Sequence, residues 1–171
     1  MENLIKKARR GDADAFVELM ESQMKNMYKA AYSFLSNEDD VADAISDTIL
    51  TCWEKLGQLR EDRYFRTWMT RILINHCKDI YRKKQELVFY QEPPQVPCQE
   101  TEYENLEWKE ALQTLETRYR TVMILYYVEG FKTAEISKIL EIPEATVRTR
   151  LARARERLAV EYNPMKRRKT V

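Results

Sequence analysis

The chain has 171 residues, enough for one ordinary domain or two small ones, and no apolar run approaches the length of a membrane span. Three glycines and five prolines among abundant Ala, Leu, Glu, Lys, Arg and Met argue for an all-helical fold, because those residues lose little freedom in a helix. The net charge of +1 hides an asymmetry: residues 1–84 carry 15 basic and 14 acidic groups, residues 85–116 carry 1 and 8, and residues 117–171 carry 13 and 6, which describes an acidic connector and a basic module suited to a polyanion.

In chain order, the opening residues 1–7 lack the apolar stretch of a secretory leader, so a cytoplasmic location without membrane insertion is expected. A first helix is expected over residues 14–35, with an apolar stripe at Phe16, Leu19, Met20, Met27 and Ala31. The run SNEDD at residues 36–40 supplies capping groups and early negative charge for a second helix over residues 39–56, which Gly57 ends. Its buried stripe is Val41, Ile45, Thr48, Ile49, Cys52 and Leu56; opposite lie Asp43, Asp47 and Glu54 around Leu50, an acidic face with one apolar centre.

A short polar loop, residues 58–63, leads into a third helix over residues 64–84. One side carries Phe65, Met69, Ile72, Leu73, His76 and Ile80; the other carries Thr67, Arg71, Asn75, Lys78 and Arg82, with Trp68 and Asp79 at the border. A positive track with amide and aromatic groups is what holds single-stranded nucleic acid with its bases unstacked. Residues 85–101 hold Pro93, Pro94 and Pro97 and no sustained periodicity, and read as a flexible acidic linker.

Helical periodicity resumes from residue 102, through Trp108, Leu112, Leu115, Tyr119, Val122 and Tyr126, until Gly130 breaks it. Thr133 is expected to cap the next helix, which ends near Leu140; Glu141, Ile142 and Pro143 form a tight turn, and Pro143 suits the start of the final helix. In that helix Val147, Leu151, Ala154 and Leu158 fall on one side, Thr146, Thr149, Arg150 and Arg153 on the outer side, and Arg148 and Arg155 on the flank. A short helix, a turn and an arginine-rich second helix form a helix-turn-helix: hydrogen-bonding groups reach base edges in the major groove while flanking arginines hold phosphates. Cys52, Cys77 and Cys98 are odd in number and far apart, and His76 is the sole histidine, so neither a disulfide framework nor a zinc site is expected. No phosphate-binding glycine loop or nucleophile–base motif suggests an enzyme, and no cofactor is expected.

Two stretches carry a family resemblance. The run EGFKTAEISKILEIPEATVRTRLARAR, residues 129–155, closely resembles region 4 of the bacterial extracytoplasmic-function sigma factors, with Ala145 where Gly is common and Arg148 where Lys is common. The run FRTWMTRILINHCKDIYRKK, residues 65–84, resembles their region 2 pattern at Phe65, Trp68, Arg71, Ile72, Asn75, Asp79 and Arg82. The second helix is similar to their polymerase-docking helix, with Asp43, Asp47 and Trp53 at matching positions and Ser46 and Ile49 replacing the usual Gln and Phe.

The resemblance implies two small helical domains, a three-to-four-helix region 2 over residues 1–84 and a helix-turn-helix region 4 over residues 102–171, joined by the linker at residues 85–101. It implies docking on the clamp of the beta-prime subunit of core RNA polymerase through Asp43, Asp47, Leu50, Trp53 and Glu54, and region 4 on the flap of the beta subunit. Promoter DNA would be captured at the minus-ten element by Trp68, Arg71, Asn75, Lys78, Asp79 and Arg82, a flipped base entering the loop at residues 59–64. The minus-thirty-five element would be read by Thr146, Arg148, Thr149, Arg150, Arg153 and Arg155. It further implies transcription initiation in a stress or envelope response held in check by an anti-sigma factor. A stand-alone helix-turn-helix regulator and a nucleic-acid enzyme are the competing readings.

Overall fold

The computed structural model describes residues 1–88 and 112–161; most of the linker, Cys98 and Trp108 lie outside the described residues. Seven helices are described: α1 (Glu2–Ala8), α2 (Ala13–Leu35), α3 (Glu38–Lys55), α4 (Phe65–Val88), α5 (Thr117–Met123), α6 (Thr133–Leu140) and α7 (Glu144–Glu161). No strand is present among the described residues. The fold is all-α, as the composition indicates.

Local chemistry sets the helix ends. The Asp12 carboxylate accepts from the Ala15 amide at 3.0 Å and opens α2; the Asn37 side-chain oxygen accepts from the Asp40 amide at 3.0 Å and opens α3. Between them Ser36 takes a left-handed backbone, φ 55°, so the chain reverses in two residues and α3 folds back on α2. Leu56–Gln58 and Asp62–Tyr64 form two single tight turns that lead into α4, with Leu59 buried between them. α1 is not evident in the sequence periodicity: Ile5 and Ala8 bury one side, and Arg9 pairs with Asp62 at 3.1 Å to fasten it to the loop before α4.

The N-terminal core is Leu19, Met27, Ala31, Val41, Ala44, Cys52, Leu56, Phe65, Met69 and Leu73, each almost wholly buried. Ile72, His76 and Ile80, expected on the buried side of α4, are only half-buried, and the His76 ring nitrogen instead meets the Thr51 hydroxyl at 3.0 Å. The second core brings together Tyr119, Val122, Leu125, Phe131, Ile136, Ile139, Val147, Leu151, Ala154 and Leu158. Periodicity alone predicts one uninterrupted helix up to Tyr126. Instead residues 114–116 break the helical path, and after α5 the chain widens into one π-type turn, Ile124–Val128. That wider turn leaves Tyr126, Tyr127 and Val128 exposed while Leu125 stays buried.

Two boundaries differ from expectation. α4 runs to Val88 rather than 84, taking in the first residues of the expected linker. The cap of α6 is not Thr133: the Glu135 carboxylate accepts from the Lys132 amide at 2.9 Å, and the Thr133 hydroxyl instead donates to Glu144 at 2.6 Å. A carboxylate three residues into a helix competes well for an open amide, and the hydroxyl is then free to brace the following turn.

The two domains pack directly against each other. α6 lies along α4, and α5 meets α2. The contact is mixed: Thr67 of α4, bonded to Glu135 of α6, is buried, and so is the apolar Ile74 two turns along the same helix.

Candidate nucleic-acid and polymerase interfaces

The helix-turn-helix is built by α6 and α7. Glu141 takes a left-handed backbone, φ 58°, the Ile142 amide donates to the Ser137 carbonyl at 3.2 Å, and the Ser137 hydroxyl donates to the Ile142 carbonyl at 2.6 Å. Pro143 closes the turn, its carbonyl accepting from the amides of Thr146 and Val147. Glu144 ties the unit together, since its Oε1 accepts from Thr133 of α6 and, at 2.8 Å, from Arg148 one turn along α7. With Val147, Leu151, Ala154 and Leu158 buried, α7 turns its opposite face outward.

On that face Arg148, Thr149 and Arg153 are exposed, while Thr146 and Arg150 are half-buried. The Thr149 hydroxyl donates to the Ala145 carbonyl at 3.0 Å, a bond that fixes its rotamer and leaves the oxygen's lone pairs outward. Arg155 sits with its guanidinium 5.9 Å from the Tyr127 ring centre. Arg157 serves the fold instead of the outer face. It pairs with Glu116 at 2.7 Å and lies 4.4 Å over the Tyr119 ring, so it holds the end of α7 to α5. The two partners shift each other: the Arg157 hydrogen bond holds the Glu116 carboxyl below its ordinary range, and Glu116 holds Arg157 above its own. Sequence periodicity does not separate Arg157 from the outward arginines, because its partner lies 41 residues away.

On α3, Asp43, Asp47, Leu50, Trp53 and Glu54 are all exposed and lie along one flank. Leu50 is 58% exposed and Trp53 42%, large values for apolar groups between carboxylates. Trp53 is held in place from below, its ring edge-on to Phe16 with centroids 4.9 Å apart. A rigid aromatic and a leucine ringed by acids suit a basic helical partner with an apolar stripe.

The polar side of α4 carries contacts to the second domain that sequence periodicity does not indicate. Trp68 is half-buried and packs 6.1 Å from Phe65, Asn75 is half-buried, and Asp79 and Arg82 are exposed and paired at 2.8 Å. Arg71 and Lys78 are taken up by the second domain: Arg71 Nε donates to Glu141 at 3.0 Å and Lys78 donates to the Leu140 carbonyl at 3.1 Å. Thr67 donates to Glu135 at 3.2 Å. Beyond them an open groove of about 460 Å³ is lined by Phe34, Lys78, Tyr81, Arg82 and Gln85. Tyr64, at the end of the loop expected to take a flipped base, is 42% exposed between Arg63, 4.7 Å from its ring centre, and Lys138, at 5.7 Å.

One charged group at the domain contact has no counterpart in the sequence reading. Glu129 is buried, and its Oε2 meets Arg66 at 3.3 Å while its backbone carbonyl accepts from the same guanidinium at 3.1 Å. Burial pushes its carboxyl above the ordinary range, against the opposing pull of Arg66 and Lys29. Cys52 and Cys77 are free and buried, and burial pushes each thiol up to about 12, so both stay protonated and serve as small apolar groups. No cluster of His, Cys, Asp and Glu suited to a metal ion occurs among the described residues.

Comparison with known proteins agrees with this geometry. Residues 19–86 match the family model for Sigma-70 region 2, and residues 105–158 match that for Sigma-70, region 4. The RNA polymerase sigma factor NccH of Alcaligenes xylosoxydans is 30% identical over 170 residues, covering 92% of this chain and 91% of that protein. The ECF RNA polymerase sigma factor SigW of Bacillus subtilis is 29% identical over 173 residues, covering 90% and 92%. Among solved structures, CnrH in complex with the cytosolic domain of CnrY superposes with a TM-score of 0.68 at 28% identity, over 93% of this chain and 94% of that one. The sigma factor RpoE of Bartonella quintana, in complex with the anti-sigma factor NepR, gives 0.69 at 25% identity, over 84% and 93%.

Proposed function

This chain belongs to the extracytoplasmic-function RNA polymerase sigma factors, and from that premise we propose how its surfaces divide the work of starting transcription. Region 2, residues 1–84, docks on the clamp of the beta-prime subunit and captures the opened minus-ten element; residues 85–101 thread between the domains as an acidic linker; region 4, residues 102–171, docks on the flap of the beta subunit and reads the minus-thirty-five element as duplex. The observation that carries this reading is the presence in one chain of two surfaces of opposite character: the outward basic face of α7 and the acidic flank of α3 with its exposed Leu50 and Trp53.

Each surface has its chemistry. Arg148 and Arg155 hold phosphates from the flank, while Thr146, Thr149, Arg150 and Arg153 face base edges from the outer side of α7. Asp43, Asp47 and Glu54 steer a basic coiled coil, and Leu50 and Trp53 provide the desolvated centre that gives such contacts their lifetime. On α4, Trp68 and Asn75 meet unstacked bases, Arg71, Lys78 and Arg82 follow the backbone, and Asp79 orients Arg82 through the observed pair. The protein acts by binding and positioning, in the cytoplasm, without covalent catalysis. An anti-sigma factor controls it, in the way that NepR is bound to RpoE in the Bartonella complex.

The assignment is tested by Asp43→Arg with Asp47→Arg. Both carboxylates are exposed and bear no structural contact among the described residues, so the fold should stand while the docking face reverses sign. Facing like charge across such an interface costs several kcal/mol, so the double variant should no longer co-purify with core polymerase while keeping its helical circular dichroism. Undiminished co-purification would remove α3 from the docking surface.

A further inference from the structure

We propose that the groove at the far end of α4 is a stacking shelf for one further unstacked base of the promoter strand, with Tyr81 as its floor. The proposal rests on the assignment of α4 above and extends that face by three residues outside it, Phe34, Tyr81 and Gln85.

The groove is lined by Phe34, Lys78, Tyr81, Arg82 and Gln85, so among the described residues it offers two rings, two cations and an amide, and no carboxylate. Single strands are held in this way, by bases laid on aromatic faces and a positive groove that follows the backbone. A partner helix would ask for a continuous apolar stripe, which two rings do not supply. The groove also continues the strand track. Tyr81, Arg82 and Gln85 follow Lys78 at three, four and seven residues, which keeps all four on one side of α4. A helix rises about 1.5 Å per residue, so Tyr81 stands roughly 25 Å from the loop expected to take the flipped base. A base on the shelf is therefore a different one, at the opposite end of the captured segment.

The ring is set before any ligand arrives. Tyr81 is 45% exposed, yet it is held twice: by an edge-to-face contact with Phe34 of α2, centroids 6.0 Å apart and planes at 87°, and by the Gln85 amide, which donates to its hydroxyl oxygen at 2.9 Å. An aromatic group fixed in this way loses little freedom when a base stacks on it. The bond from Gln85 uses the hydroxyl as acceptor and leaves its proton to be donated outward. The two cations keep donors as well. Lys78 gives one to the Leu140 carbonyl at 3.1 Å and Arg82 gives one to Asp79 at 2.8 Å, while an ammonium has three and a guanidinium five. The phosphates on either side of a stacked base thus have groups to meet.

The test uses core polymerase loaded with the full-length chain or with its Tyr81→Phe, Tyr81→Leu, Tyr81→Ala and Asn75→Ala variants, and core polymerase alone as the baseline. The probe is a fluorescein-labelled, A/T-rich single-stranded oligonucleotide read by anisotropy over a range of salt. Loss of the ring in Tyr81→Ala should weaken binding roughly five- to hundredfold, the range that stacking of one base supplies. Tyr81→Phe keeps the ring and should stay within about threefold of wild type. Tyr81→Leu fills similar space without an aromatic face and should bind as weakly as Tyr81→Ala; it carries the prediction alone should Tyr81→Ala lose its helical circular dichroism. None of these changes removes a charge, so the slope of log affinity against log salt should stay that of wild type. Wild-type affinity in Tyr81→Leu and Tyr81→Ala, with Asn75→Ala weakened, overturns the shelf and leaves the assignment of α4 standing. Wild-type affinity in Asn75→Ala as well removes that assignment, and the shelf falls with it. Poorer loading of the Tyr81 variants onto polymerase at unchanged oligonucleotide affinity would make the groove a protein contact, which also overturns the shelf.

Discussion

Glu129 shows how a single residue can report on the contact between the two domains. Its carboxyl is buried at the domain contact, facing Arg66 of α4 and Lys29 of α2, and desolvation outweighs their attraction so that its proton affinity rises. The folded chain therefore binds this proton more tightly than the unfolded chain does. The stabilising contribution of the protonated group is complete below the ordinary carboxylate value and is lost as the pH rises through the raised one. Glu129→Gln cannot ionise, so the difference in melting temperature between wild type and variant should change with pH across the weakly acidic range, the wild type losing relative stability as pH increases. A difference that stays constant from about pH 4 to about pH 7 would mean that Glu129 titrates as an ordinary carboxylate. Nothing in the sequence marks Glu129 for this role: its neighbours in the chain are Val128 and Gly130, and its partner Arg66 lies 63 residues away.

At the scale of elements, the helix-turn-helix makes the sharpest claim. α7 is held by four buried apolar residues and by the Glu144 brace, so its outer face is rigid before DNA arrives, and removing one side chain there should not disturb the rest. Arg150→Ala or Arg153→Ala should weaken binding to a cognate promoter duplex by roughly 1–3 kcal/mol where the arginine contacts a base. A duplex affinity within about twofold of wild type for both variants would remove them from the reading face. This is also the element most legible in the sequence. Its period of about 3.6, its proline-marked turn and its clustered arginines are local signals, and α2, α3 and α4 are readable for the same reason. What escapes the sequence is of two kinds. Short or irregular pieces such as α1 and the π-type turn offer too few residues for a period to emerge, and the cap of α6 is decided by competition between Thr133 and Glu135, both good hydrogen-bonding candidates. Contacts between elements far apart in the chain, such as Arg71 with Glu141 and Arg157 with Glu116, leave no periodic trace at all. The polar side of α4 is evident from its residues, but polarity does not say that another helix of the same chain lies on it.

For the whole molecule, the arrangement is one of separated charge. The acidic flank of α3 and the basic face of α7 are both open, while on the polar side of α4 Arg71 and Lys78 are bonded to the second domain and Asp79 and Arg82 are exposed. In the proposed reading the division follows the charge: the acidic flank docks on polymerase, and the basic surfaces of α4 and α7 meet promoter DNA. That division of labour is the central claim, and transcription itself tests it most directly. Purified core polymerase should be given this chain, or the Asp43→Arg/Asp47→Arg variant, with fragmented genomic DNA from the source organism, and the run-off transcripts mapped. Discrete start sites should appear only with the wild-type chain and share sequence at both upstream positions. Transcripts identical to those of core polymerase alone, or undiminished with the charge-reversed variant, would contradict it.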